Sequence, residues 1–197
     1  LEPKEECKIK KINVDYSKLY YGFPVILISF YDKDGNPNVT TLSSSFTLMD
    51  MVVLGFSRKG YAINQIKEVK DFVINIPDNS LMKEIDFCGA NSGYECKKFD
   101  MVNLTPVKSK LVNAPIIEEC PIAIECTLTD VIERDYYRGI TNILANIKGR
   151  CISKEYLDAD GQLKYSAVDN VLYVGDDKKK VYRYTQSKVS DDAQSFL

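Results

Sequence analysis

Six hydroxyl side chains fall within ten consecutive positions, Asn38-Val39-Thr40-Thr41-Leu42-Ser43-Ser44-Ser45-Phe46-Thr47. Short hydroxyls let a flat ligand approach the backbone closely, and each donates or accepts a hydrogen bond beside main-chain N–H groups. The run therefore reads either as the wall of a ligand cradle or as a Ser/Thr-rich edge strand or loop. A second group, Ser57-Arg58-Lys59-Gly60-Tyr61, precedes the helical pattern Ala62-Ile63-Asn64-Gln65-Ile66-Lys67. A hydroxyl, a guanidinium and an ammonium at a helix start suit an anion, because unpaired N–H groups and the helix dipole already favour negative charge there. The alternative is a solvated turn with an ordinary helix start. A third group runs from Phe87 to Asp100, where Gly89 and Gly93 permit sharp turns and would let Ser92 and Lys97 reach back over a ligand. It also reads as a helix-terminating loop anchored by Phe87 and Phe99.

These groups must be positioned by strands. Apolar runs recur at 23–31, 37–42, 51–57, 71–76, 121–132, 143–153 and 171–174, with an alternating piece at Val181-Tyr182-Arg183-Tyr184. Asp32-Lys33-Asp34-Gly35-Asn36-Pro37 supplies a hairpin turn. Helices are predicted from Gly60 to Val69 and from Leu81 to Cys88, followed by a loop-rich connection through Pro115. A polar turn or flap at 133–139 joins the two long strands. Antiparallel strands with a few inserted helices predict a mainly β fold, a closed antiparallel barrel rather than a doubly wound parallel sheet.

With 197 residues, 45% hydrophobic and 27% charged, the chain predicts one well-packed domain over 1–197. A net charge of -2 gives no general attraction to nucleic acid, and no apolar run is long enough to span a membrane. The chain opens on Leu rather than Met, so a few residues are expected to precede it; Leu1-Glu2-Pro3-Lys4-Glu5-Glu6 lacks a secretory pattern, and a cytoplasmic location is the expectation. The six cysteines, at 7, 88, 96, 120, 126 and 151, form no Cys-x-x-Cys pair, so free thiols are expected and no metal site. Cys120 and Cys126 are predicted to share a strand face in the core, and Cys88 with Cys96 offers only a weak redox pair. The tyrosines at 20, 21, 136, 137, 182 and 184 either pack or stack on a flat ring. There is no histidine, which excludes Ser-His-Asp and Cys-His catalysis and His-ligated metals; any enzymatic chemistry falls to a bound cofactor.

Taken together, these segments resemble the flavin reductase-like family, which includes flavoredoxins and is built on the FMN-binding split barrel. The resemblance covers about 23 to 184 and rests on Pro24-Val25-Ile26-Leu27-Ile28, Asp34-Gly35-Asn36-Pro37-Asn38-Val39, the hydroxyl run, Asn64-Gln65-Ile66 before Lys70-Asp71-Phe72-Val73-Ile74-Asn75, Phe87-Cys88-Gly89 with Ser92-Gly93 and Lys97-Lys98-Phe99, and Ile124-Glu125-Cys126. It implies a homodimer with FMN at the barrel edge. Asn38, Thr40, Thr41, Leu42, Ser43, Ser44, Ser45 and Phe46 would lie along the ring, and Ser57, Arg58, Lys59 and Tyr61 would hold the phosphate, with Asn64 among the cofactor-binding positions. Ser92 and Lys97 would close over the ring or ribityl chain. No residue is given a catalytic role, since the flavin carries the chemistry, with NADH or NADPH as donor, or a redox protein as partner. Relatives often place an aromatic where this chain has Ser44-Ser45 and a histidine where it has Gly139-Ile140-Thr141-Asn142, which bears on the nicotinamide-facing side. The expected activity is that of an FMN-dependent oxidoreductase; the alternatives are a flavoredoxin-type carrier without a nicotinamide site and a non-catalytic split-barrel binding protein.

Overall fold

A computed structural model describes residues 11–185. Seven strands form one antiparallel sheet in the order β3-β2-β6-β9-β10-β5-β4: β2 (Ile26–Tyr31), β3 (Pro37–Leu42), β4 (Ser45–Leu48), β5 (Met51–Ser57), β6 (Asp71–Ile76), β9 (Ile122–Glu133) and β10 (Ile140–Ile152). The two edges of this sheet are β3 and β4, yet only Ser43 and Ser44 join them. That link reaches at most about 11 Å, whereas the edges of seven flat strands would stand about 29 Å apart. The sheet must therefore curl until its edges meet, and because β3 and β4 form no ladder with each other the result is a split barrel. The hydroxyl run is thus the seam itself: the end of β3, the link and the start of β4.

Register explains why β2 reads as a continuous apolar run. Ile26, Ile28 and Phe30 face the barrel interior with Val52, Leu54, Phe72, Cys126 and Ile143, while Val25 and Leu27 join Val39, Ile85 and Cys88 on the outside. Both faces are buried, so no polar alternation survives. Strand shifts between Leu144 and Ala145 and between Ile147 and Gly149 bend the long β9–β10 ladder around the barrel.

Two helices cover the barrel. Helix α1 (Tyr61–Val69) buries Ala62, Ile63, Gln65 and Ile66 and ends at Lys70, whose N–H bonds the Ile66 carbonyl in a positive-φ conformation (φ 70°). Helix α2 (Met82–Ala90) buries Glu84, Ile85 and Cys88 against the outer face of β3 and follows a short 3-10 turn, Asn79–Leu81, capped by the Asp78 carboxylate. A separate three-stranded sheet, β1 (Leu19–Pro24), β11 (Val171–Asp176) and β12 (Lys180–Tyr184), stands beside α2, and a small ladder joins β7 (Pro106–Lys108) to β8 (Pro115–Ile117).

The main departures from the predicted elements have local causes. The run 23–31 divides at Val25, whose N–H bonds the Val171 carbonyl, so Phe23 and Pro24 belong to the small sheet and Ile26 onward to the barrel. Strands β1, β4, β7 and β8 are short, exposed or proline-bearing, and their periodicity is too brief to read. Residues 133–139 divide between the end of β9 and a 3-10 turn, Asp135–Tyr137, and the last long strand starts earlier than predicted, at Ile140. Cys120 and Cys126 are both buried but in different clusters, because Cys120 sits in a turn before β9 begins and strand parity does not extend to it. Cys88, Cys96, Cys120, Cys126 and Cys151 are free thiols; Cys7 lies outside the described residues. Burial pushes the Cys88 thiol up to about 11 and the Cys126 thiol to about 12, so neither is a ready nucleophile.

One polar group ties the layers together. Asn75 Nδ2 donates to the Leu27 carbonyl (3.2 Å) and to Ser29 Oγ (2.8 Å), its Oδ1 accepts from the Ile117 N–H (2.9 Å), and Ser29 Oγ donates to the Pro115 carbonyl (2.5 Å). All of this is buried. Asn75→Ala strands the Ile117 N–H and is expected to cost about 3 kcal/mol, read as a lower urea midpoint with an unchanged slope.

Candidate functional site

The start of α1 is left open electrostatically. Gly60 occupies the N-cap without a side-chain cap, and the first turn carries no acidic residue. Unpaired N–H groups and the positive end of the helix dipole therefore face outward with no counter-charge from the helix itself. In front of this turn lies a cavity of about 230 Å³ lined by Asn38 through Leu42 of β3, Phe56 and Ser57 of β5, Gly60 through Ile63 of α1, and Asn91, Ser92, Gly93 and Lys98. Lys98 is 3% exposed. Its Nζ donates to the Cys88 carbonyl at 2.7 Å, and burial lowers its pKa from the ordinary lysine value. It takes no part in the carboxylate pairs found among the described residues. A buried ammonium with one neutral acceptor, set beside an uncapped helix N-terminus and two serine hydroxyls, makes an anion seat.

The loop that carries Ser92 is clamped to α1. A Cβ on Gly93 would lie 2.3 Å from Tyr61 Cδ1, so no other residue passes there without a shift. The Tyr61 ring is fixed from two sides: its hydroxyl donates to Asp32 Oδ2 (3.0 Å), and its edge meets Tyr94 with centroids 4.9 Å apart. Burial, with the Asp32 hydrogen bond second, pushes the Tyr61 phenol up to about 12. Burial alone would raise Asp32, but hydrogen bonds from Asn36, Tyr61 and the Asp34 amide carry its carboxyl below the usual range.

Where Leu42 leads into the link, a second cavity of about 410 Å³ opens against Thr41, Leu42, Ser43 and Ser44, walled by Tyr20, Tyr173, Tyr182, Asp86, Gly89 and Ala90. Thr41 and Leu42 border both spaces; the Thr41 Oγ1 donates to the Ile85 carbonyl (2.6 Å), and a Cβ on Gly89 would lie 3.3 Å from the Thr41 Cβ. The β3 edge between them faces the open seam. The Val39 N–H bonds its neighbour's side chain, Asn38 Oδ1, at 2.8 Å rather than a strand, and alternation turns the Thr41 amide to the same side.

Of the positions expected from sequence, Asn38, Thr40, Thr41, Leu42, Ser57, Tyr61 and Ser92 line the smaller cavity, and Ser43 and Ser44 line the larger with Thr41 and Leu42. The others point elsewhere. Arg58 is drawn to the β9–β10 turn: its Nη2 donates to the Arg134 carbonyl (3.2 Å), its N–H bonds the Gly139 carbonyl (2.8 Å), and its Nε stands 3.8 Å from Glu133 Oε2. Hydrogen bonds from Lys67 and Thr141 hold the Glu133 carboxyl below its usual range, which keeps that counter-charge in place. Lys59 and Lys97 are exposed and line neither cavity. Asn64 Nδ2 donates to the Tyr94 hydroxyl (2.8 Å), Ser45 lines an apolar groove at the other end of the barrel, and Phe46 is turned to solvent. Lys98, Asn91 and Gly93 complete the smaller cavity and were not expected. The basic pair Lys97-Lys98 was visible, but only the 3-10 turn Lys98–Asp100 decides which of the two turns inward. Tyr20 and Tyr182, two of the tyrosines read as packing or stacking, do line the larger cavity, while Asp86 and Tyr173 were not singled out because they come from elements far apart in sequence.

Comparison with known proteins gives this geometry a context. Residues 18–189 match the model of the flavin reductase like domain. The protein YdfE of Bacillus subtilis is 30% identical over 132 residues, 60% of this chain and 64% of that protein, so the match spans less than two thirds of the relative's length. Among solved structures, the flavoredoxin of Desulfovibrio vulgaris (Miyazaki F) superposes with a TM-score of 0.82 at 25% identity, covering 94% of this chain and 98% of that one. An FMN-binding protein from Thermus thermophilus shares the fold at 15% identity, with a TM-score of 0.73 over 94% and 99% of the two chains. An uncapped helix start facing a buried lysine, on a barrel split along a hydroxyl-rich seam, thus belongs to a member of the flavin reductase-like family.

Proposed function

We propose that the chain binds FMN with its phosphate at the start of α1 and its ring along the Thr41–Ser44 seam, and works as an FMN-dependent oxidoreductase. The observation that carries this reading is the convergence of an uncapped helix N-terminus and the buried Lys98 ammonium on one cavity. Ser57 and Ser92 supply hydroxyl donors, Asn38 an amide, and the open β3 edge supplies main-chain groups for a flat ring. Lys98 rather than Lys97 is the lysine of this loop that meets the ligand, at its phosphate and not over the ring or ribityl chain, and Arg58 serves the turn that frames the site. Bound there, FMN would supply the hydride and single-electron chemistry that amino-acid side chains do not.

NADH, NADPH or a reduced protein is the donor in this reading. No cation lines the larger cavity, which favours a donor whose phosphates, if it has any, stay outside it. The chain is further proposed to pair with a second copy through the free edge of β4, where Phe46 (55%), Leu48 (58%) and Met49 (83%) are exposed together.

Titration with FMN, followed by its visible spectrum, is expected to show one flavin per chain with Kd at or below about 1 μM. Anaerobic mixing with NADH and NADPH then distinguishes an enzyme, whose flavin bleaches, from a carrier, whose flavin does not. Absence of flavin binding at micromolar concentration rejects the proposal.

A further inference from the structure

We infer that the outer face of the three-stranded sheet docks an acidic electron-carrier protein that reduces the bound flavin. The inference rests on the flavin reading above, since it names that flavin's donor. Residues directly opposite in a ladder share a face, and Tyr20, Tyr173 and Tyr182 line the larger cavity from one face of this sheet. Tyr21, Val174 and Val181, which pair across the same three strands, therefore point away from the cavity, and Leu172 with Arg183 forms the next row on that side. This outer face is apolar and open: Leu19 is 59% exposed, Tyr21 78% and Val181 38%.

Its rim is basic. Residues 17–19 and 176–183 carry five cations, Lys18, Lys178, Lys179, Lys180 and Arg183, against two carboxylates, in a chain whose net charge is -2. All five cations are exposed, and none enters the ion pairs found among the described residues. Both carboxylates are engaged by the turn itself. Asp176 Oδ1 accepts from the N–H groups of Lys178 (2.8 Å) and Lys179 (3.0 Å), and Asp177 accepts from the N–H and the hydroxyl of Ser17, each at 2.7 Å. An apolar centre within a charged rim is the anatomy of a protein interface. A second copy meeting this face about a two-fold axis would set like charges against each other, whereas an acidic surface complements them.

Aromatic contacts lead from this face to the cavity. Tyr21 meets Phe23 with centroids 4.5 Å apart, Phe23 meets Tyr20 at 6.0 Å, and Tyr20 meets Tyr173 at 5.0 Å. Electron transfer falls steeply with distance through protein, so continuous packing of this kind serves a redox centre docked outside the sheet. Each encounter passes one electron from the partner's reduced centre, which is oxidised, to the flavin; two encounters and two solvent protons complete a two-electron reduction.

The test is NMR titration of the isotope-labelled chain, without and with FMN, using two small one-electron proteins of opposite charge as probes: a plant-type iron–sulfur ferredoxin, which is acidic, and a cytochrome c, which is basic. At low salt the ferredoxin is expected to bind about tenfold or more tightly than the cytochrome, to shift the resonances of 17–21 and 172–183, and to weaken about tenfold on raising the salt to physiological strength. The double substitution Lys178→Glu with Lys180→Glu should weaken it about tenfold, and Tyr21→Ser severalfold, with FMN affinity unchanged in both. Lys148→Glu, exposed on β10 outside this sheet, should leave ferredoxin binding as it was. Equal or tighter binding of the cytochrome, no ferredoxin binding, shifts confined to other faces, or an unchanged affinity in the double variant overturns the inference. So does a dimer that Tyr21→Ser makes monomeric, which would give the face to a second copy, or phosphatidylserine vesicles that outcompete the ferredoxin, which would give it to a membrane. Ferredoxin binding by a chain that takes up no FMN defeats the proposed function and leaves the docking face standing; FMN binding without ferredoxin binding defeats only the docking face.

Discussion

Lys98→Met is expected to release the flavin while leaving the fold as stable as before. Methionine fills a similar volume in a site that is 3% exposed, and it removes a buried charge whose fixed partner is one carbonyl at 2.7 Å. Removing a desolvated, weakly compensated charge relieves its burial cost, which offsets the cost, about 1–3 kcal/mol, of leaving the buried Cys88 carbonyl unpaired. A ligand phosphate or ring oxygen, by contrast, loses a charge-assisted hydrogen bond made in a low-dielectric cavity. Such a bond is worth about 1.5–3 kcal/mol, so FMN affinity should fall roughly tenfold to a hundredfold. A urea melt and an FMN titration on the same variant separate the two effects. Lys97→Met is the matched control: its side chain is exposed and lines neither cavity, and both quantities should stay within error.

Gly93→Ala should act on both quantities at once. The added methyl would meet Tyr61 Cδ1 at 2.3 Å and Cγ at 2.8 Å. A free ring would swing aside. This one is held by the 3.0 Å bond to Asp32 and by Tyr94 at 4.9 Å, so the loop must lift or the Asp32 bond must break. Overpacking of this kind costs about 1–3 kcal/mol. Because Asn91, Ser92 and Gly93 form one wall of the 230 Å³ cavity, lifting the loop also opens the anion seat, and FMN affinity should fall about tenfold. A second substitution, Tyr61→Leu, provides the check: it removes the clash and should restore part of the lost stability but not the flavin affinity.

Much of this was legible in the sequence for identifiable reasons. The strands from Ile26, Met51, Asp71 and Ile122 announced themselves because burial on one or both faces leaves a long apolar or alternating trace. The start of α1 was readable from Gly60 followed by apolar residues at helical spacing. The hydroxyl run was visible as composition, but its meaning came from topology: only the strand order shows that Ser43 and Ser44 bridge the two edges of a curled sheet. Charge assignments were least legible. Arg58 looks like a phosphate ligand until Glu133, far along the chain, is seen to hold it, and Lys97 and Lys98 are indistinguishable until a single 3-10 turn buries one of them. The tyrosine wall could not be assembled at all without the three-stranded sheet that brings Tyr20 and Tyr182 to Tyr173.

The central claim, that the start of α1 and Lys98 hold the phosphate of a bound flavin, is tested most directly by titrating FMN and riboflavin side by side. The two ligands share a ring and a ribityl chain and differ in the phosphate. The account predicts that FMN binds about tenfold or more tightly than riboflavin, and that Lys98→Met narrows the gap. Equal affinity for the two flavins, or retention of neither, would contradict it.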